Sequence, residues 1–162
     1  MVMDQFLRGA RRAHAALRGG DLYPAIRGGV NFYEASGGTL VEVYADGLPV
    51  YQPAPPGGQP RAPFGFHIHS MPDCTPMGGQ DPFAAAGSHY NPDNRLHGDH
   101  AGDLPVLWAP GGRAYMCVYT SRFTPLEVVG RTVMVHENPD DYRTQPAGNS
   151  GLRIACGVIK KD

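Results

Sequence analysis

No stretch of this sequence approaches the roughly 20 consecutive apolar residues of a membrane-spanning helix, so no membrane span is expected. Nor does the segment from Met1 to Gly20 hold an apolar run of the roughly 7–15 residues that a secretory signal needs, and the expectation is a cytoplasmic protein. Charge of one sign is missing too. Against 15 Asp and Glu stand 14 Lys and Arg, a formal net charge of −1, which gives no ground for nucleic acid or an anionic membrane as partner. There is no internal repeat and no domain linker, and 162 residues suit one domain. Cysteine is scarce, with three in the chain. Cys117 lies in a strand-like run, Ala114 to Tyr119, and is expected to be a buried free thiol. Cys74 and Cys156 form the natural pair, the alternative being two reduced cysteines, as is usual in a cytosol.

What the chain does hold is 22 Gly and 16 Pro, scattered between short runs of β-branched and aromatic residues. That pattern predicts an all-β domain rich in turns. Strands are expected over residues 25–34, 39–45, 64–69, 104–108, 113–120, 131–137 and 153–160. Five prolines between Pro53 and Pro63 impose an irregular loop. Residues 70–102 and 138–151 show little periodicity and read as two long loops of the functional kind. About eight strands and two long loops fit an eight-stranded Greek-key flattened barrel or sandwich. Ahead of it, Phe6, Ala10, Ala13 and Leu17 recur at helical spacing and stop at Gly19-Gly20. Residues 1–20 are therefore read as a short helical extension and residues 21–162 as the domain proper. The arginines of this segment resemble an organelle transit peptide, but the usual serines are missing.

Six of the seven histidines fall between His67 and His136, and imidazole is the commonest protein ligand for copper and zinc. His67 and His69 stand two apart on a strand, so both side chains take the same face about 7 Å apart. A His-x-His pair fits two structural histidines as well as it fits one ion, and His136 alone at a strand end reads as structural. The run His97-x-x-His100-x-x-Asp103, with His89 before it, is short enough to wrap one tetrahedral ion. A polar loop facing water is the plainer alternative for those four. Taken together, the seven residues point to a crowded metal site.

Five blocks carry a resemblance. Gly65-Phe66-His67-Ile68-His69, Gly87-Ser88-His89-Tyr90-Asn91-Pro92, His100-Ala101-Gly102-Asp103-Leu104, residues Gly130 to His136 and residues Arg153 to Ile159 are similar, in that order, to copper/zinc superoxide dismutases. The resemblance runs from about Ala25 to Ile159. It implies one copper per chain on His67, His69, His89 and His136. It implies one zinc per chain on His97, His100 and Asp103, with His89 as the imidazolate bridge between the metals. It further implies that Asp140 hydrogen-bonds ligands of both metals, that Arg153 stands at the copper mouth to hold a small oxyanion, and that Cys74 and Cys156 form the disulfide. Superoxide would be the substrate, with His89 and Arg153 as the catalytic groups. A homodimer is compatible with the family, although nothing here selects a dimer surface, and the supplier of copper is not indicated.

The chain also departs from that family. The spacing between His97 and His100 is compressed, which makes His97 the least secure ligand. The loop between His136 and Arg153 is short, leaving Arg143 and Arg153 as nearby cations and predicting a weak dependence of rate on ionic strength. Two other readings use the same fold: a copper-handling or chaperone-like domain, and a zinc-only structural module. The first would be expected to lack copper ligands or the arginine; the second would leave His67, His69 and His136 idle.

Overall fold

The structure is a computed structural model and describes residues 10–77 and 81–162. Nine strands run β1 (Arg11–Gly19), β2 (Arg27–Ala35), β3 (Gly38–Asp46), β4 (Phe64–His69), β5 (Asp103–Leu107), β6 (Ala114–Thr120), β7 (Thr132–His136), β8 (Arg153–Val158) and β9 (Lys160–Lys161). Every ladder is antiparallel, in the order β5-β4-β7-β8-β1-β2-β3-β6, with β9 a two-residue addition on β1. The outermost strands β5 and β6 also approach each other. The fold is therefore an eight-stranded antiparallel barrel, nearly closed, which leaves little free edge. Among the described residues no helix is long and apolar enough to cross a membrane.

The barrel interior follows from period-2 alternation. Phe64, Phe66 and Ile68 of β4 and Val133 and Val135 of β7 enter the main core with Phe32, Val41 and Val43. The intervening residues of β4 and β7, His67, His69, Met134 and His136, face the opposite way, yet they too are buried. What buries them is chain outside the barrel. Residues 70–77, 81–102 and 137–152 supply this cover, and Phe83, Ala86, Met134 and Cys156 form a second apolar cluster against Cys74. The Cys74–Cys156 disulfide spans 82 residues of sequence and ties the first long loop to β8.

Two expectations are corrected. The helical reading of residues 1–20 fails over its described part: residues 11–19 are strand β1, paired with β2, β8 and β9, while residues 1–9 lie outside the described residues. Ala13, Ala15 and Leu17 alternate into the core, with Arg12, Ala16 and Arg18 outward. The small alanines satisfied both periods, and long-range pairing with strands on either side decided between them. Gly19 does not end a helix; a Cβ there would lie 1.9 Å from the Tyr23 carbonyl oxygen. Cys117 is exposed rather than buried. On β6 the inward positions are Ala114, Met116 and Val118, so parity turns Tyr115, Cys117 and Tyr119 outward.

Candidate metal centre

The outward face of β4 and β7, roofed by the two long loops, brings seven side chains into two groups of four with His89 common to both. His67, His69, His89 and His136 form one; His89, His97, His100 and Asp103 form the other. Within each group the donor atoms lie within 4.8 Å of one another, and all seven residues are buried. β4 supplies the first pair, β7 ends on His136, and β5 begins on Asp103. His89 is brought in by an isolated bridge to His69. The compressed spacing does not displace His97, which joins the second group.

Five of the six rings are tied through one nitrogen to a carboxylate or a backbone carbonyl. His67 Nε2 lies 2.6 Å from Asp140 Oδ2, and His97 Nε2 lies 2.9 Å from Asp140 Oδ1. One carboxylate thus spans a residue of each group. His69 Nδ1 donates to the Gly87 carbonyl at 2.8 Å, and His136 Nδ1 to that of Gly151 at 3.3 Å. These contacts select which nitrogen carries the proton and turn the other toward the cluster. Accordingly His67 Nδ1, His89 Nε2, His97 Nδ1 and His100 Nδ1 are buried without a hydrogen-bond partner. The last two lie 3.2 and 3.3 Å from Asp103 oxygens, close but without hydrogen-bond geometry. Orphaned buried nitrogens each cost about 1–3 kcal/mol. Four of them converging beside a carboxylate fit cations, and the imidazole and carboxylate donors fit copper and zinc.

The protonation states agree. Burial, then the neighbouring imidazoles of His136 and His89, holds His67 and His69 well below the ordinary histidine range. Burial, followed by His89, takes His136 to about 3. His89 is also lowered, burial outweighing its bond to Asp103. Burial works against the Asp103 carboxylate, but the hydrogen bond from His89 and the imidazoles around it bring it to about 2. At neutral pH His67, His69, His89 and His136 are thus neutral rings and Asp103 an anion, the forms that ligate metal.

The two groups differ in access. A cavity of about 530 Å³ opens over the first, lined by His69, His89, His136 and Arg153 together with Thr144 and Pro146. His97, His100 and Asp103 do not reach it. An open site beside a closed one is the arrangement that separates reaction from structure. A larger groove, about 760 Å³, lies over the outer face of β1, β2, β3 and the start of β6 and includes none of the candidate ligands. Arg153 is fixed at the cavity by donating to the Phe83 carbonyl at 2.6 Å and the Gly87 carbonyl at 2.8 Å. Gly87 thereby binds both Arg153 and His69. Asp81 lies 3.4 Å from Arg153 Nε, and Arg143, expected beside it, is exposed and does not line the cavity.

Sequence reasoning missed Arg122, Gln145 and Gly148, whose side chains or backbone touch the ligand-bearing segment. Nothing in their local pattern marks them: Arg122 and Gln145 act on residues 19 or more positions away, and Gly148 matters through its closeness to Asp140 and His97 in space.

Comparison with known proteins agrees with this centre. Residues 26–159 match the family model of copper/zinc superoxide dismutase (SODC). The chain is 32% identical over 148 residues to "Superoxide dismutase [Cu-Zn] 2" of Aquifex aeolicus, covering 82% of this chain and 78% of that protein. It is 35% identical over 139 residues to "Superoxide dismutase [Cu-Zn]" of Deinococcus radiodurans, covering 70% and 76%. Its fold superposes on the solved Cu/Zn superoxide dismutase from Brucella abortus with a TM-score of 0.72 at 31% identity, covering 91% and 99% of the two chains.

Proposed function

The chain belongs to the copper/zinc superoxide dismutase family, and from that membership and the geometry of the centre we infer that it disproportionates superoxide. His67, His69, His89 and His136 would hold copper, and His89, His97, His100 and Asp103 would hold zinc. The observation that carries the reading is His89, buried, shared by both groups, and lining a cavity that Arg153 also lines. Copper, when bound, supplies one-electron redox chemistry, so that two superoxide anions and two protons leave as dioxygen and hydrogen peroxide.

The protein's own groups supply binding, orientation and protons. With two of its donors tied to Phe83 and Gly87, the Arg153 guanidinium is fixed in orientation and offers its remaining donors to a small oxyanion in charge-assisted bonds. His89 Nε2, without a partner on the copper side, is the atom that holds a proton for the departing peroxide, while Nδ1 stays anchored toward Asp103 at 2.8 Å. Asp140 accepts from His67 and His97 and so keeps Nδ1 of each ring free as a ligand. The other three residues of the zinc group, His97, His100 and Asp103, do not line the cavity, and this group serves structure and charge.

The test compares protein loaded with copper and zinc against protein loaded with zinc alone. Rapid loss of superoxide is expected only with copper, and His136→Ala is expected to abolish it. Copper demonstrably bound in wild-type protein without superoxide consumption would defeat the reading.

A further inference from the structure

Four zinc ligands come from residues 89–103, a segment that turns back on itself through the Gly102 amide on the Tyr90 carbonyl at 2.8 Å, Asp99 on Leu96 at 3.1 Å and Asp103 on His100 at 3.2 Å. Asn91 brackets the Arg95 backbone at 2.8 and 2.9 Å. Asp103 Oδ2 accepts from the amides of Gly98 at 2.8 Å and His100 at 3.0 Å. Carbonyls around the ligands are also met from outside the segment. Arg122, in the connection after β6, donates through Nη1 to the His100 carbonyl at 2.9 Å and the Asp103 carbonyl at 3.4 Å. Its Nη2 donates to the Gly98 carbonyl at 3.3 Å. Gln145, in the loop after β7, brackets His97: its Oε1 accepts from the His97 amide at 2.8 Å, and its Nε2 donates to the His97 carbonyl at 3.2 Å.

Building on the zinc assignment above, we propose that Arg122 and Gln145 are positioning residues that set the geometry and affinity of the zinc site. A planar fork is the one side chain that spans three carbonyls in a fixed pattern. The further pairing of Arg122 with Asp99 at 3.4 Å is solvent-exposed and contributes little. A primary amide is the one neutral group that donates and accepts side by side, as an adjacent strand would. The two clamps divide the segment. Gln145 sets the backbone of His97, and Arg122 sets that of His100 and Asp103. Gln145 also lines the cavity over His69 and His136, so one side chain joins the zinc segment to the wall of the copper mouth.

The experiment uses the full chain as Arg122→Gln, Arg122→Lys and Gln145→Leu. Zinc affinity is read by competition with a chromophoric chelator, and site geometry by the visible bands of cobalt(II) substituted for zinc. Wild-type protein must first take up zinc in a buried site; failure there defeats the metal assignment and not the clamps. With it bound, Arg122→Gln and Gln145→Leu are expected to weaken zinc binding by about 10–100-fold and to alter the cobalt bands, Arg122→Lys falling between. Should Arg122→Gln not fold, Gln145→Leu decides. Affinity within about twofold of wild type and an unchanged cobalt spectrum, even with a lowered melting temperature, would overturn the proposal, since a merely structural residue leaves both readouts alone.

Discussion

At the scale of single residues the centre depends on a glycine as much as on its ligands. Gly148 has φ of +66°, and a Cβ built there would fall 1.8 Å from Asp140 Oδ1 and 2.5 Å from His97 Nε2. Only hydrogen fits where the Asp140–His97 bond passes. Gly148→Ala is therefore expected to break that bond and weaken zinc binding by about 10–100-fold; a chelator competition showing wild-type affinity would refute it. The buried imidazoles give a second prediction, for metal-free protein. His67, His69 and His136 have pKa values below that of an unfolded histidine, His136 about 3. Between that value and about 6.5 the unfolded chain binds more protons. Stability contributed by keeping these rings neutral is thus complete above about pH 6.5 and is lost as pH falls below it, for His136 down to about 3, at up to about 1.4 kcal/mol per pH unit for each ring. Thermal unfolding of the metal-free chain at pH 7.5 and 5.5 checks this, with the lower melting temperature expected at 5.5.

At the scale of elements, β1 carries the main lesson. Leu17 is fully buried, 0% exposed, in the principal core between strands far from it in sequence. Leu17→Ala should cost about 2–5 kcal/mol in denaturant unfolding. A value under 1 kcal/mol would be the mark of a peripheral segment. Elsewhere the elements were legible. The expected strands β2 to β8 stand within a few residues of their predicted bounds, because β-branched runs closed by Gly and Pro carry a strong local signal. Segment 11–19 lacked that signal. Three alanines and one leucine do not distinguish a period of 2 from one of 3.6, and the pairing partners that settle the matter are β2, β8 and β9. Cys117 was placed in a strand correctly, but on the wrong face, since local sequence gives alternation without saying which parity meets the core.

At the scale of the whole molecule, the charge distribution bears on how superoxide arrives. The chain is nearly neutral, at −1, and Arg153, the one arginine lining the cavity among the described residues, has Asp81 3.4 Å away. Long-range attraction at the mouth is weak, and a field of this kind is screened beyond about 10 Å at 0.1 M salt. The second-order rate constant is expected to fall only about twofold to threefold between low and physiological ionic strength, where strong steering would give tenfold or more. Fast-mixing measurement of superoxide decay across that range tests it, and a steep decline would reveal a guiding field not carried by the cavity itself.

The sequence by itself determined the chemical types and order of the ligands, the alternation that places His67 and His69 on one face, and the two long loops that carry the rest. These are one-dimensional properties, written in spacing and residue type. Tertiary structure decided which nitrogen of each ring faces the cluster, because that depends on Asp140, Gly87 and Gly151. It placed β1 in the barrel and set Arg122 and Gln145 against a segment from which they are remote in sequence. It also left one group open to a cavity and closed the other. Each of these outcomes rests on register and packing between distant stretches of chain, which are fixed only once the barrel closes.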